Sequence, residues 1–137
     1  MLKALLSSPK VSVLEQSLAA ASLRHKVISN NIANVNTPGF KKSEVAFESL
    51  LQSALDGTQL RMTSTNEKHF QIARSPLQVT PTINTITDTS MRTDGNNVDV
   101  DIEMAELAKN NIYYNAVAQQ LGQQFSGLKT VINGGRS

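Results

Sequence analysis

The side chains that most often perform acid–base or metal chemistry are few in this sequence and badly spaced for it. There is no cysteine, and the two histidines, His25 and His69, form no metal-ligand pair of the H-E-x-x-H kind. No phosphate-binding loop, dinucleotide-binding motif or G-x-S-x-G element is present. We therefore predict that the protein is not an enzyme and that it binds no cofactor.

Carboxylates are densest in TDGNNVDVDIEM, residues 93–104, a segment that resembles a calcium-binding loop at first sight. When Gly95 is aligned with the invariant glycine of an EF-hand loop, Arg92 occupies a ligand position, and a guanidinium cannot bind a cation there. The segment is better explained as a turn at Asp94 and Gly95, followed by carboxylates that cap and charge the start of a helix. We predict no metal site.

Amide side chains are concentrated in a second segment, ISNNIANVNTPGFKK, which has four asparagines within seven residues. Pro38 disfavours helix at Thr37, and Gly39 permits a tight turn, so a helix is expected to end here. A simple helix stop does not explain so many asparagines, whose side chains both donate and accept hydrogen bonds. We interpret them as side chains that satisfy the exposed terminal carbonyls of the helix and bond neighbouring subunits, with Phe40 as an apolar anchor.

A long helix is predicted before this turn, because apolar residues recur at alternating spacings of three and four from Leu14 to Val35. His25 is the polar interruption in this pattern. Two starts are open: a capping box formed by Ser12 and Glu15, or a first turn that begins at Ser8 and contains Pro9.

A second long helix is predicted from about residue 99 to residue 133, with the same spacing and with carboxylates near its start. The two apolar rows are expected to pack as an antiparallel coiled-coil-like pair. The predicted seam consists of Leu14, Leu18, Ala21, Ile28, Ile32 and Val35 on the first helix, and of Val100, Met104, Leu107, Tyr114, Ala118, Leu121, Phe125, Leu128 and Ile132 on the second.

The middle of the chain has weaker patterns. A short third helix is predicted from Phe47, with Asp56 and Gly57 at its end, and residues 58–97 are predicted to be an irregular arm with at most short strands. The fold class is therefore mainly α. The expected organisation is an N-terminal helix in residues 1–36, a turn motif and short helix in 37–57, the arm in 58–97, and a C-terminal helix in 98–137.

Charge and hydropathy exclude two classes of partner. The net charge is only +2, and the basic clusters are short, so we predict no nucleic-acid binding. No stretch is long and apolar enough for a membrane span, and the apolar cluster in MLKALLSS is shorter than a secretory signal requires.

The asparagine segment closely resembles the N-terminal signature of bacterial flagellar axial proteins, roughly ANNIANxxTxGFK, with Ser29 in place of the first alanine. The downstream segment DGNNVDVDIEMAELAKNN resembles the proximal members of the flagellar basal-body rod protein family. The matching residues of the first motif, with the intervening proline, are Asn30, Asn31, Ile32, Ala33, Asn34, Thr37, Pro38, Gly39, Phe40 and Lys41. Those singled out in the second are Gly95, Asn96, Asn97, Val98, Asp99, Asp101, Glu103 and Met104.

This resemblance implies a structural role in the bacterial flagellum. Rod proteins are exported by the flagellar type III export apparatus without a cleaved signal peptide and polymerise in the periplasm into a hollow helical shaft. The shaft links the MS ring to the distal rod and hook and transmits torque. The implied partners are further copies of the chain, the rod subunit FlgC, the adaptor FliE and the MS ring. Two alternatives stay open: another small rod protein such as FlgC itself, or a free-standing coiled-coil adaptor or chaperone.

Overall fold

The fold is that of a computed structural model, which describes residues 8–57 and 79–134. Within these ranges the elements in chain order are α1 (Pro9–Ala33), β1 (Ser43–Ala46), α2 (Glu48–Gly57), β2 (Thr82–Thr85) and α3 (Val100–Gly134). The two long helices, α1 and α3, pack against each other. The predicted fold class, mainly α with two long terminal helices and a short third one, is confirmed.

Helix α1 begins at the earlier of the two starts that the sequence left open. Ser8 is the N-cap, and its Oγ accepts the N–H of Val11 at 3.4 Å. Pro9 occupies the first turn, where a missing N–H leaves no hydrogen bond unmade. Ser12 lies inside the helix, where its Oγ accepts from Nε2 of Gln16. The capping box is therefore not formed.

Helix α3 begins one residue after Asp99, whose Oδ1 accepts the backbone N–H groups of Asp101 and Ile102 at 2.9 and 3.3 Å. This is an N-cap of the kind that the sequence predicts, because a carboxylate both satisfies the free N–H groups and complements the helix dipole. The helix then runs for 35 residues, to Gly134.

Two hydrogen bonds show that α1 and α3 are antiparallel. Near the end of α1, Nδ2 of Asn31 donates to Glu103 at 3.0 Å, and ten residues earlier the carbonyl of Ala21 accepts from Nδ2 of Asn110 at 2.9 Å. Ala20 is almost completely buried beside Ala21, and such small side chains allow close approach of the helices. The core of the described residues consists of Val11, Ala20, Ala21, Val27, Ile28, Val45, Phe47, Val98 and Val117.

The seam predicted on α3 does not coincide with the buried face of that helix. The buried residues are Glu103, Asn110 and Val117, at intervals of seven. Predicted positions such as Met104 and Ala118 lie one residue later, about 100° round the helix. The reason is that two of the three buried positions are polar and are held by hydrogen bonds, so a search for apolar periodicity passes over them.

The predicted seam residues are more deeply buried on α1 than on α3. On α1, Ala21 and Ile28 are buried, while Leu14, Leu18 and Ile32 are half-buried. Val35 is also half-buried, but it lies in the turn after α1 ends at Ala33. On α3, Leu107, Ala118, Leu121 and Leu128 are half-buried, and Val100, Met104, Tyr114, Phe125 and Ile132 are exposed.

The middle of the chain contains a two-stranded sheet. Strands β1 and β2 are antiparallel, with Ser43 opposite Thr85 and Ala46 opposite Thr82. Strand β2 is one of the short strands expected in the arm, whereas β1 lies in a segment where only a turn and a helix were predicted. Residues 58–78 of the predicted arm, with His69, lie outside the described residues.

Candidate functional site

Three buried asparagines join the end of α1, β1 and the loop before α3. We call Asn31, Asn96 and Asn97 the asparagine junction; they are 1%, 0% and 3% exposed. A buried amide is costly unless both its donor and its acceptor are satisfied, and here each side chain is. The junction therefore fixes how the N- and C-terminal motifs of the sequence meet.

Asn31 joins α1 to β1 and α3. Its Nδ2 donates to the carbonyl of Ser43 at 2.9 Å, and its Oδ1 accepts the N–H of Ser43 at 3.1 Å, so the amide pairs with β1 as a neighbouring strand would. The same Nδ2 donates to Oε2 of Glu103 at 3.0 Å. One side chain thus sets the relative positions of three elements.

Asn96 closes the turn that follows α1. Its Nδ2 lies within 3.1 Å of the carbonyl oxygens of Asn34, Val35 and Thr37, in the turn that follows the helix. Its Oδ1 accepts the N–H of Val98 at 2.7 Å. The second motif is therefore the cap of the first.

Asn97 holds the sheet to the loop before α3. Its Oδ1 accepts the N–H of Lys42 at 2.7 Å, and its Nδ2 donates to the carbonyl of Ile86 and to Oγ1 of Thr89. Lys41, in the first motif, donates from Nζ to the carbonyl of Thr89 at 2.7 Å. These contacts continue the junction beyond the end of the β1–β2 pairing.

Two glycines in these motifs have left-handed backbones. Gly39 has φ of +72° and Gly95 has φ of +81°, a region that side chains with a Cβ rarely adopt. The N–H of Gly39 donates to the carbonyl of Asp94 at 2.9 Å. A Cβ on Gly95 would lie 3.8 Å from the Cα of Gly39, which is ordinary contact, so the requirement for glycine comes from the backbone conformation.

A buried carboxylate, Glu103, is compensated by Asn31 and by Lys42, whose Nζ lies 3.6 Å from Oε1. Lys42 also binds Glu44 at 2.8 Å. The hydrogen bond to Glu44 raises the pKa of Lys42 above its usual 10.5, against the opposing effect of partial burial, and the two carboxylates add to the rise. The lysine is thus firmly charged beside the buried acid, as a buried carboxylate requires.

A second ion pair positions α2 on α1. Nη2 of Arg24 lies 2.7 and 2.6 Å from the two carboxylate oxygens of Glu48, at the first turn of α2. Partial burial raises the pKa of Glu48, but the hydrogen bond from Arg24, a backbone hydrogen bond and the charge of Arg24 together outweigh it, so the pKa lies below the usual 4.5. The glutamate stays ionised in ordinary buffers and also complements the helix dipole.

The structure separates the four asparagines of the first motif. Asn31 is buried within the chain, so the interpretation that all four contact neighbouring subunits is wrong for this residue. Asn34 is half-buried and bonds within the turn, accepting from Thr37 and donating to the carbonyl of Asn30. Asn30 and Asn36 are exposed. Of the other motif residues, Pro38 and Gly39 are exposed, and Ile32, Phe40 and Lys41 are half-buried.

An apolar row on α3 is uncovered. We define the α3 stripe as the exposed members of the predicted seam: Val100 (38% exposed), Met104 (51%), Tyr114 (40%), Phe125 (41%) and Ile132 (55%). Residues 110–128 of the same helix contain no charged side chain. Large apolar side chains aligned along one exposed face are typical of an interaction surface.

Neither a metal centre nor a membrane segment is found in the described residues. Within residues 8–57 and 79–134, no three histidine or carboxylate side chains come together as metal ligands. No helix in the same ranges is both long enough and apolar enough to cross a bilayer. The distinctive features of this part of the chain are thus a polar junction and an apolar stripe.

Comparison with known proteins gives one consistent result. Residues 13–41 match the family model described as flagella basal body rod protein. The chain is 40% identical over 131 residues to the flagellar basal body rod protein FlgB of Bacillus subtilis, an alignment that covers 96% of this chain and 98% of that protein.

Two further relatives carry the same name. The FlgB protein of Borreliella burgdorferi is 32% identical over 120 residues, with 84% of this chain and 89% of that protein aligned. That of Aeromonas hydrophila is 33% identical over 121 residues, with 88% and 89% aligned. At this identity and coverage, the chain belongs to the FlgB family of flagellar basal body rod proteins.

Proposed function

We propose that this protein is a structural subunit of the proximal rod of the bacterial flagellar basal body. Copies of it polymerise into part of a hollow helical drive shaft that links the MS ring to the distal rod and hook and transmits torque. A rod protein of this family is a structural protein, not an enzyme, and its assembly with itself and with other rod components follows from the family.

The observation that carries the proposal is the uncovered α3 stripe. Its five side chains are between 38% and 55% exposed in the single chain, and complete burial of each would contribute about 1 kcal/mol of the 1.5–3 kcal/mol expected for such a side chain. A monomer gains nothing from an apolar row on a solvent face. A polymer gains from it at every subunit contact.

The surroundings of the stripe favour burial between subunits. Between residues 110 and 128, α3 has glutamines, asparagines, serine and alanines in place of charged residues. Such a face can be covered by a neighbour without stranding an ion in a dry interface. When the stripe contacts a different surface on the next copy, the contact is heterologous and does not close, so that it propagates as a helix.

The proposal also concerns the neighbours of the subunit in the basal body and the route by which it is exported. The relatives are named flagellar basal body rod protein FlgB, and the ground for proposing three kinds of neighbour is the resemblance of this chain to proximal rod proteins. These neighbours are the rod subunit FlgC, the adaptor FliE and the MS ring. We also propose export through the flagellar type III apparatus without a cleaved signal peptide, and assembly in the periplasm.

A deletion strain tests this function. Removal of the gene is expected to leave MS rings and FliE without a rod, hook or filament, and expression of the gene in trans should restore all three. Basal bodies imaged by electron microscopy provide the measurement. Complete rods in the deletion strain would refute the proposal, and a closed small oligomer in sedimentation would favour the adaptor alternative instead.

A further inference from the structure

A groove lies between α1, β1 and the first part of α3, with a volume of about 550 Å³. Three of the buried residues that line it are apolar, Val27, Ile28 and Val45, and each is at most 8% exposed. On the α3 side, Ile102 also lines the groove but is 49% exposed, so the single chain leaves a large apolar side chain partly in water. Binding clefts typically measure about 300–1,000 Å³, so the groove is large enough to receive side chains of a partner.

One buried polar group that lines the groove is incomplete. Asn110 is 3% exposed, and its Nδ2 donates to the carbonyl of Ala21 at 2.9 Å. Its Oδ1 has no hydrogen-bond partner among the described residues. Burial of an acceptor without a donor is unfavourable, so the single chain leaves this wall of the groove unfinished.

The charged side chains that line the groove are all paired within the chain. They form the ion pairs Arg24–Glu48, Lys42–Glu44 and Lys109–Glu106, and the buried Glu103 is compensated by Lys42. A charged occupant would compete with these pairs, whereas an uncharged one leaves them in place. The groove therefore favours an occupant that is uncharged and partly apolar.

The α3 stripe has these properties and lies on the other flank of the same helix. Measured from Glu103 at about 100° per residue, Phe125 lies about 40° to one side of α3 and Ile102 about 100° to the other. Phe125 is 41% exposed, and residues 110–128 around it carry no charge. Because the stripe and the groove are on opposite flanks, one copy cannot place its stripe in its own groove.

We propose that the groove receives the α3 stripe of a second copy of this chain, with Phe125 of that copy packed against Ile102. The inference rests on the proposed rod function and deepens it, because it names the surface that the stripe contacts. Gln123 and Gln124 next to Phe125 bring N–H donors to a groove that contains an unpaired acceptor. Each copy has one stripe and one groove, so the contact is heterologous and repeats from copy to copy.

Paired cysteines test this contact, because the natural sequence contains none. Ile102→Cys and Phe125→Cys in one chain lie about 35 Å apart along a single helix, and the Cβ atoms of a disulfide lie about 3.5–4.5 Å apart, so these thiols can link only different copies. The matched control combines Phe125→Cys with Ile112→Cys, which is 72% exposed on the face of α3 opposite Glu103 and about 20 Å from Phe125. Basal bodies that carry each variant are purified and oxidised, and the denatured chains are separated by mass before and after reduction.

The Ile102 and Phe125 pair should give a ladder of disulfide-linked dimers and longer products, at least about tenfold more than the Ile112 control, since linked Cα atoms must lie within about 7 Å. Rods in which the chains stay unlinked, or link equally in both variants, would overturn the groove contact and leave the rod function intact. Absence of the unmodified chain from basal bodies would instead refute the rod function.

A charge exchange gives a second readout that does not depend on cysteine. Phe125→Glu alone is expected to abolish motility, and the addition of Ile102→Lys to the same chain should restore swimming, because the introduced carboxylate of one copy then meets the introduced ammonium of the next. Ile112→Lys is the control and should restore nothing. Restoration by neither lysine, or by both equally, would overturn the contact between Phe125 and Ile102.

Discussion

Replacement of Asn31 by alanine separates two roles that the sequence alone could not distinguish. If Asn31 holds the single chain together, its loss destabilises the monomer; if it contacts a neighbouring subunit, its loss affects only assembly. The structure favours the first role, because the side chain is 1% exposed and is bonded to Ser43 and Glu103.

The expected magnitude follows from the three hydrogen bonds that the variant removes. Two are made to the backbone of Ser43 and contribute about 1 kcal/mol each, and the third, to the carboxylate of Glu103, contributes about 1.5–3 kcal/mol. Asn31→Ala should therefore lower the free energy of unfolding by about 3–5 kcal/mol. A domain of this size is stable by about 5–15 kcal/mol, so a large part of its stability would be lost.

Urea unfolding of the isolated chain, followed by far-ultraviolet circular dichroism, measures this change. The control is Asn30→Ala, at an exposed position on the same helix, which has the same gain in helix propensity and should change stability by less than about 0.5 kcal/mol. Equal unfolding midpoints for the two variants, together with failed rod assembly for Asn31→Ala alone, would refute the assignment of Asn31 to the monomer.

Three further predictions concern the turn, the stripe and the ion pair. Gly39→Ala should destabilise the chain by about 1–2 kcal/mol in the same urea assay, because the φ of +72° at this position strains any residue with a Cβ. The control is Gly122→Ala, in a helix interior with open space around it, which should stabilise the chain by up to about 1 kcal/mol. Phe125→Glu should abolish motility in a soft-agar assay while the thermal unfolding of the single chain changes little, and normal swimming would count against the stripe. The pKa of Glu48 is lower in the folded chain than in the unfolded chain, so the stabilisation from its pair with Arg24 is complete above about pH 4.5 and is lost as the pH falls through the folded pKa. In Glu48→Gln the free energy of unfolding should no longer show this loss in acid. An unchanged profile of stability against pH would contradict this prediction.

The helices could be predicted from the sequence because their signals are local. Apolar spacing, the proline at position 9 and the carboxylates before residue 104 depend only on near neighbours in the chain, and they place α1 and α3 to within a few residues. The turn at Gly39 was predictable for the same reason, since Pro38 and Gly39 restrict their own backbones.

The register of the helix pair was not predictable, because it depends on polar contacts between distant residues. Glu103 faces α1 because Asn31 and Lys42 compensate its carboxylate, and Asn110 faces α1 because its Nδ2 donates to the carbonyl of Ala21. Those partners are 61–89 residues away in the chain. The apolar row predicted on α3 is present, but it was expected to pack against α1, and its largest side chains are exposed in the single chain.

The strand β1 was missed for a related reason. Ser43–Ala46 is short and has no alternating pattern strong enough to predict a strand. Its pairing depends on β2, almost forty residues later, and on the amide of Asn31. Both motifs can be recognised in the sequence, but their direct contact through Asn96 can be seen only in the folded chain.

The oxidation rate of Met104 in assembled basal bodies tests most directly whether a neighbouring subunit covers the α3 stripe. Met104 is 51% exposed in the single chain and lies near the start of the α3 stripe, so peroxide should oxidise it readily in dilute protein. Mass spectrometry of intact and dissociated basal bodies compares the two states. Met104 should be strongly protected in the assembled rod, and equal oxidation in both states would contradict coverage of the α3 stripe by a neighbouring subunit.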